Sequence, residues 1–226
     1  MNVVNWYVVI ATVALCILNL VYMQKKRWKS VQGIIGKIKM VLPETNKKKI
    51  FFLIMLVSSL SLAVFMSVFY QGLTTLYLLK RVCLVTLIFP MAVIDNKRYI
   101  IPNKLLITSL ICRGVILVFE FLFPQKNLVF TLTSEVISAF GLFVVCMIVL
   151  LIMKGKIGMG DVKLFSIMGL FQGFVGVSNA VLASLIIAFI VSVFLLIMKR
   201  KSRKDMIAFG PSILVGTFLS VILTGA

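Results

Sequence analysis

The sequence predicts an all-α fold, a polytopic membrane helix bundle with about eight transmembrane helices. Hydrophobic residues make up 62% of the 226 residues and charged residues only 13%, whereas an ordinary soluble domain has about 25% charged residues. The mean hydropathy is +1.15. Apolar stretches of roughly 20 residues recur along the chain, separated by short basic or Gly- and Pro-containing breaks. A soluble core could not hide this much apolar surface, so we expect the bilayer to cover it.

The predicted spans follow these apolar stretches in chain order. They are residues 3–23, 50–69, 76–97, 105–123, 132–153, 164–177, 180–198 and 207–224. The sixth is short and rich in glycine. The first has no basic segment before it and no small-residue cleavage site after it, which favours a retained anchor over a cleaved signal peptide.

Positive charge is concentrated on one side of the predicted bundle. If the spans alternate in direction, four connections on the same side hold 20 of the 24 Lys and Arg residues. These connections are 24–49, 98–104 together with Lys97, 154–163 and 199–205. The positive-inside rule then places them in the cytoplasm, with both termini outside. Topology and contact with anionic membrane lipid account for the net charge of +18. We predict no nucleic-acid binding, because the charge is dispersed among helix ends and the aromatic residues lie in the spans.

The cysteine and histidine content excludes several kinds of site. There is no histidine, and Cys16, Cys83, Cys112 and Cys146 lie far apart inside apolar stretches, with no CxxC pair. A structural zinc site and a histidine-based triad are therefore excluded, and the cysteines are interpreted as packing residues. We predict neither a metal nor a cofactor. Any catalysis must use carboxylates, lysine or hydroxyl groups.

Four of the six acidic residues have simple structural interpretations. Glu44 and Asp205 lie in the basic loops, where they are expected to be solvated counter-charges. Glu120 and Glu135 lie near the outer ends of spans four and five, where a carboxylate can reach the interface and stay hydrated.

Asp95 and Asp161 differ from the other four, because each adjoins an apolar helix at its predicted cytoplasmic end. They are therefore expected on the same membrane face, where they could meet. Pro102 follows Asp95 by seven residues and forces the chain to leave the helix before span four begins. Gly158 and Gly160 precede Asp161 and permit close backbone approach there.

Three segments resemble the type IV prepilin peptidases and the related preflagellin peptidases, which are membrane aspartic proteases of the GxGD kind. They are the stretch from Asp95 to Asn103, the GMGDVKL stretch from Gly158 to Leu164, and Phe209-Gly210-Pro211 at the start of the last span. By this resemblance, Asp95 and Asp161 are the catalytic pair. The supporting motif residues are Pro102, Asn103, Gly158, Gly160, Lys163, Gly210 and Pro211.

The resemblance covers residues 76–226, which we therefore expect to form a peptidase-like membrane domain, while 1–75 holds the N-terminal membrane helices and the short basic loop 24–49. It implies an aspartic endopeptidase of the inner (cytoplasmic) membrane, with its active site toward the cytoplasm. The implied substrate is a pilin-like precursor, which loses a basic leader. Large bacterial members carry paired cysteines and a methyltransferase activity in the loop after the first span. Loop 24–49 has no cysteine, so we do not assign N-methylation.

The residues themselves support the same chemistry. Hydrolysis of a peptide bond needs a base for water and an acid for the leaving nitrogen, and two nearby carboxylates sharing one proton supply both. An ion- or proton-coupled transporter remains an alternative, because intramembrane carboxylates and glycine-broken helices also mark ion pathways. A non-catalytic membrane assembly protein is a further alternative. The chain has no evident inverted repeat, and both aspartates are predicted at one membrane edge, which favours the protease.

The predicted topology can be tested with cysteine probes placed singly at Lys37 or Ser202. In intact cells, a membrane-impermeant thiol reagent should leave both probes unlabelled, because loops 24–49 and 199–205 are predicted to be cytoplasmic. The unchanged chain gives the background from its own cysteines, and a probe at Gly72, on the opposite predicted side, gives the positive control. Strong labelling at Lys37 or Ser202 in intact cells would contradict the topology.

Overall fold

The computed structural model describes residues 5–23, 46–124, 127–152, 158–198 and 207–225. Within these ranges the chain is helical and contains no strand. The helices are α1 (Trp6–Met23), α2 (Asn46–Phe69), α3 (Thr75–Arg98), α4 (Asn103–Leu122), α5 (Leu128–Ile152), α6 (Met159–Ile197) and α7 (Gly210–Thr224). The predicted fold class, an all-α membrane helix bundle, is therefore confirmed.

Five of these helices, α2 to α6, are long and apolar enough to cross a membrane. The apolar parts of α1 and α7 are shorter, Trp6–Asn19 and Gly210–Leu223. Large apolar side chains are exposed along most of the helices, as lipid-facing surfaces require. Most of the connections 24–49 and 199–205, with Glu44 and Asp205, lie outside the described residues.

Residues Met1–Pro90 form the first compact unit. In this unit α1 packs on α2, and small polar groups connect the helices. The Asn19 side chain donates to the Thr86 carbonyl at 2.9 Å, and Cys16 Sγ lies 3.2 Å from Ser59 Oγ. Such interhelical hydrogen bonds are typical of membrane helices, where burial of apolar surface gives no driving force for association. Cys16 and Cys83 are buried, in keeping with their predicted packing role.

Residues Met91–Ala226 form the second compact unit, in which α6 packs against α4, α5 and α7. Two glycines allow the closest helix contacts. A Cβ atom on Gly169 would lie 2.7 Å from the Ala139 backbone in α5, and one on Gly216 would lie 2.5 Å from the Ser184 backbone nitrogen. Only glycine therefore fits at these two crossings without a shift of backbone. Gly169 therefore serves the packing of the protein's own helices.

Helix α6 is broken at Gly173, whose φ of 66° and ψ of −174° are not helical. We call residues 159–172 the first arm and 174–197 the second arm. Side chains near the start of the first arm and near the end of the second line one cavity, so the arms run side by side in opposite directions. The separate predicted spans 164–177 and 180–198 placed this break about five residues too late. The conformation at Gly173, which only glycine adopts readily, decides where the chain turns.

Side chains of α4 and α5 supply hydrogen bonds to the backbone at the break. In an unbroken helix the Phe174 N–H would donate to the Leu170 carbonyl. Here it donates to Ser134 Oγ at 3.2 Å, and the Leu170 carbonyl accepts from Arg113 Nε at 2.8 Å. Ser138 Oγ also donates to the Gly169 carbonyl at 3.1 Å. These bonds pair backbone polar groups at the break. Left unpaired in apolar surroundings, such groups would cost free energy.

Glu120 and Glu135 are bound to Arg113, which differs from what the sequence predicted for them. Both glutamates were expected to be hydrated at helix ends, but they are only 5% and 2% exposed. Arg113 Nη1 donates to Glu120 Oε2 at 2.9 Å, and Nη2 donates to Glu135 Oε2. The guanidinium presents donors in a fork, so it can bind two carboxylates and a carbonyl together. The expectation of hydration was wrong because sequence alone does not show which helices meet around Arg113.

Substitution of Gly173 tests the break. The change Gly173→Ala should destabilise the protein by about 1–3 kcal/mol, because an L-residue is strained at this φ and ψ. The matched control is Gly141→Ala in α5, where a Cβ atom would meet nothing within 4 Å. Unfolding of the purified protein in detergent, followed by heat or denaturant, measures both. Equal stability of the two variants would contradict the described break.

Candidate active site

Asp95 lies in the last turn of α3 and is only 5% exposed. The helix ends at Arg98: the next residue, Tyr99, has a positive φ of 54°, and its N–H donates to the Asp95 carbonyl at 2.7 Å. Pro102 then takes the extended conformation that precedes α4. The predicted break before span four is therefore present, and it places Asp95 at a helix end, where the chain turns.

Asp161 lies in the first turn of α6, with Gly158 at the N-cap position. A backbone hydrogen bond from Gly158 reaches its carboxylate. Gly160 is required for a different reason, because a Cβ atom there would lie 2.9 Å from Cβ of Ile101. The GxGD spacing thus brings the start of α6 against the chain segment that follows Asp95.

Gly210 connects the third motif to Asp95. Its backbone N–H donates to Asp95 Oδ2 at 2.7 Å. A Cβ atom on Gly210 would lie 2.9 Å from Asp95 Cβ and 3.1 Å from Cα of Ala92. Pro211 occupies the first turn of α7, where its missing N–H costs nothing and its fixed φ suits a helix start. Phe209-Gly210-Pro211 therefore begins α7 at a position where its first N–H binds a carboxylate.

Asp95 and Asp161 line one cavity of about 310 Å³. They are close enough for their charges to interact. Lys163 and Asn103 line the same cavity, and Lys163 Nζ donates to Asn103 Oδ1 at 3.3 Å. Gly158 and Gly160 also line this cavity. Pro102 and Pro211 shape the adjoining helix starts, so the residues singled out in the sequence lie around this cavity or in the turns that form it.

A second cavity adjoins the first and was not predicted. It has a volume of about 500 Å³, is lined mostly by apolar side chains and shares Asp161 with the polar cavity. Phe165 and Phe209 form part of its wall, with their rings edge to face at 5.8 Å between centroids. The segment Phe209-Gly210-Pro211 was identified in the sequence, but only as a helix start. The binding of Asp95 by the Gly210 N–H was missed, because a backbone donor leaves no signature in residue type.

The two carboxyl groups could hold a water molecule between them. A pair of carboxyl groups in one partly buried cavity can take a proton from water and give one to a leaving nitrogen. The neighbouring Lys163 is held by Asn103 and gives the rim one positive charge. The cavity therefore contains the groups that hydrolysis by paired carboxylates requires, and it lies entirely within the second compact unit.

Comparison with known protein families gives a match. Residues 82–196, slightly more than half of the chain, match the type IV leader peptidase family. No curated protein and no solved structure matches the chain significantly. The matched region includes Asp95 and Asp161, and it ends before Gly210. The chain belongs to the type IV leader peptidase family.

Proposed function

We propose that the protein is a membrane aspartic endopeptidase that removes the basic leader from pilin-like precursors. The observation that carries the proposal is the pair Asp95 and Asp161, which come from different helix ends and line one cavity. Membership of the type IV leader peptidase family supports a protease acting on such precursors. The family and this cavity together favour the protease over the transporter and the assembly protein.

In the proposed mechanism the two aspartates act as one unit. One ionised carboxylate takes a proton from water, the water attacks the scissile carbonyl, and the other carboxyl protonates the leaving nitrogen. The Gly210 N–H can only donate, so it is best matched to an unprotonated oxygen at Asp95 Oδ2. This bond also fixes the orientation of the Asp95 carboxylate, leaving Oδ1 for water or the shared proton.

The proposed topology places this site at the cytoplasmic face of the inner membrane. The basic residues Lys97, Arg98 and Lys163 lie near the two aspartates in sequence, and the positive-inside rule assigns such residues to the cytoplasm. We further propose that the two arms of α6 cross the membrane separately, which would give eight spans. We include no methyl transfer, because loop 24–49 has no cysteine.

Replacement of either aspartate tests the mechanism. Asp95→Asn and Asp161→Asn should each lower cleavage of a pilin-like precursor by at least about 100-fold, because an amide can neither accept nor supply the required proton. The double variant should be no worse than either single one, since residues acting as a unit are non-additive. Membranes are incubated with the precursor, and loss of the leader is followed by gel shift.

The four proteins must first be shown to insert at equal levels. Asn is close in size to Asp, so a loss of cleavage at unchanged membrane content reports on chemistry. Near wild-type cleavage by either single variant would contradict the aspartic-protease proposal. The transporter would then become the favoured function.

Gly210 provides an independent test of how Asp95 is held. Gly210→Ala should lower cleavage by about 10-fold or more, because its Cβ atom would lie 3.0 Å from Asp95 Oδ2 and displace the carboxylate. Gly114→Ala is the matched control, since a Cβ atom there meets nothing within 4 Å. The same gel-shift assay measures both variants. Equal cleavage by both would show that the bond to Asp95 does not matter for catalysis.

A further inference from the structure

The carboxylate of Asp161 lies where two chemically different cavities meet. On one side is the polar cavity with Asp95, Lys163 and Asn103. On the other is the apolar cavity of about 500 Å³, and of all the lining residues only Asp161 belongs to both. When a peptide bond is positioned at Asp161 for cleavage, the substrate chain extends from that bond in both directions. The two sides of the cut therefore face different surroundings.

The apolar cavity has a regular wall on each side. Along the second arm of α6 it is lined by Val181, Leu185, Ala188 and Ser192, which recur every three or four residues and so form one helix face. A stripe of α5 with the same spacing forms the facing wall, and it includes Val145 and Val149. Ala188 and Ser192 have the smallest side chains in these walls. They leave the space that a larger side chain would fill.

We propose that this apolar cavity binds the side chains that immediately follow the scissile bond, and that Ala188 and Ser192 set the size it accepts. The inference rests on the proposed function. The polar cavity with the two aspartates is then left for the part of the substrate that precedes the cut. Apolar side chains gain free energy, about 25 cal/mol per Å² of surface, when they leave water for the other cavity.

Apolar side chains of a polypeptide substrate fit this cavity better than a lipid chain does. A lipid chain would gain nothing from the cavity's continuity with a catalytic carboxylate. A substrate needs that continuity, because its apolar side chains and its scissile bond are only a few atoms apart. A cavity of this volume also falls within the range of about 300–1,000 Å³ that is typical of specific binding sites. It holds a few side chains, not a whole helix.

A matched pair of precursors tests the assignment. One carries Phe at the first two positions after the cut, and the other carries Ala at both. The wild-type protein should cleave the Phe precursor about 10-fold or more faster in kcat/KM. Ala188→Trp fills the cavity, so it should remove most of this preference by slowing the Phe precursor alone. Ile190→Trp on the exposed side of the same arm is the control and should keep the preference.

A second variant covers the case in which Ala188→Trp fails to fold. Leu185→Ala enlarges the cavity, and it should raise kcat/KM for a precursor with Trp at the first two positions, relative to the Ala precursor. A change of size preference in opposite directions by the two kinds of variant is not an effect of altered stability.

The outcomes distinguish a failure of the inference about the apolar cavity from a failure of the proposed function. Equal effects of Ala188→Trp on the Phe and Ala precursors would overturn the inference, because the cavity would then hold lipid or nothing during cleavage. The same holds if Leu185→Ala leaves the size preference unchanged. Failure of the wild-type protein to cleave any precursor would overturn the proposed function itself, and the inference with it.

Discussion

In an apolar helix bundle the backbone hides its polar groups inside the helices, so backbone donors and acceptors become available to other groups only where helices begin, end or break. The candidate site obeys this constraint. Asp95 belongs to the last turn of α3, Asp161 to the first turn of α6, and Gly210 is the first residue of α7. At each helix end a group is available that a helix interior would have paired with its own backbone or excluded. Asp95 and Asp161 line one cavity, and the Gly210 N–H binds Asp95.

Close backbone approach is what allows these ends to meet. Gly160 lies against Ile101, and Gly210 lies against Asp95 and Ala92, at distances that no Cβ atom would permit. The glycines of the two motifs therefore serve contact between segments more than flexibility within them. The φ angle is positive at Gly173 but not at Gly160 or Gly210, so the same residue type has two different physical roles in this chain.

The sequence predicted the features that depend on composition and local order. The helical class, the break between Asp95 and Pro102 and the turn before Asp161 all follow from hydropathy and from the properties of proline and glycine. Features that depend on which helices are neighbours could not be predicted. The buried grouping of Glu120 and Glu135 around Arg113 is one example, and the bond from Gly210 to Asp95 is another. In each case the partners are distant in sequence or belong to the backbone.

The break at Gly173 gives α6 two ends on the same side of the bundle. One of these ends carries Asp161, and the opposite arm forms a wall of the apolar cavity beside it. Under the proposed function, chemistry and selectivity belong to separate halves of a single hairpin, and Arg113 and Ser134 bind the backbone at the turn between them. Mutations that accumulate along the outgoing half can alter the shape of the wall while the incoming half keeps its geometry. Such a division would let related chains diverge in the precursors they accept without rebuilding the catalytic centre.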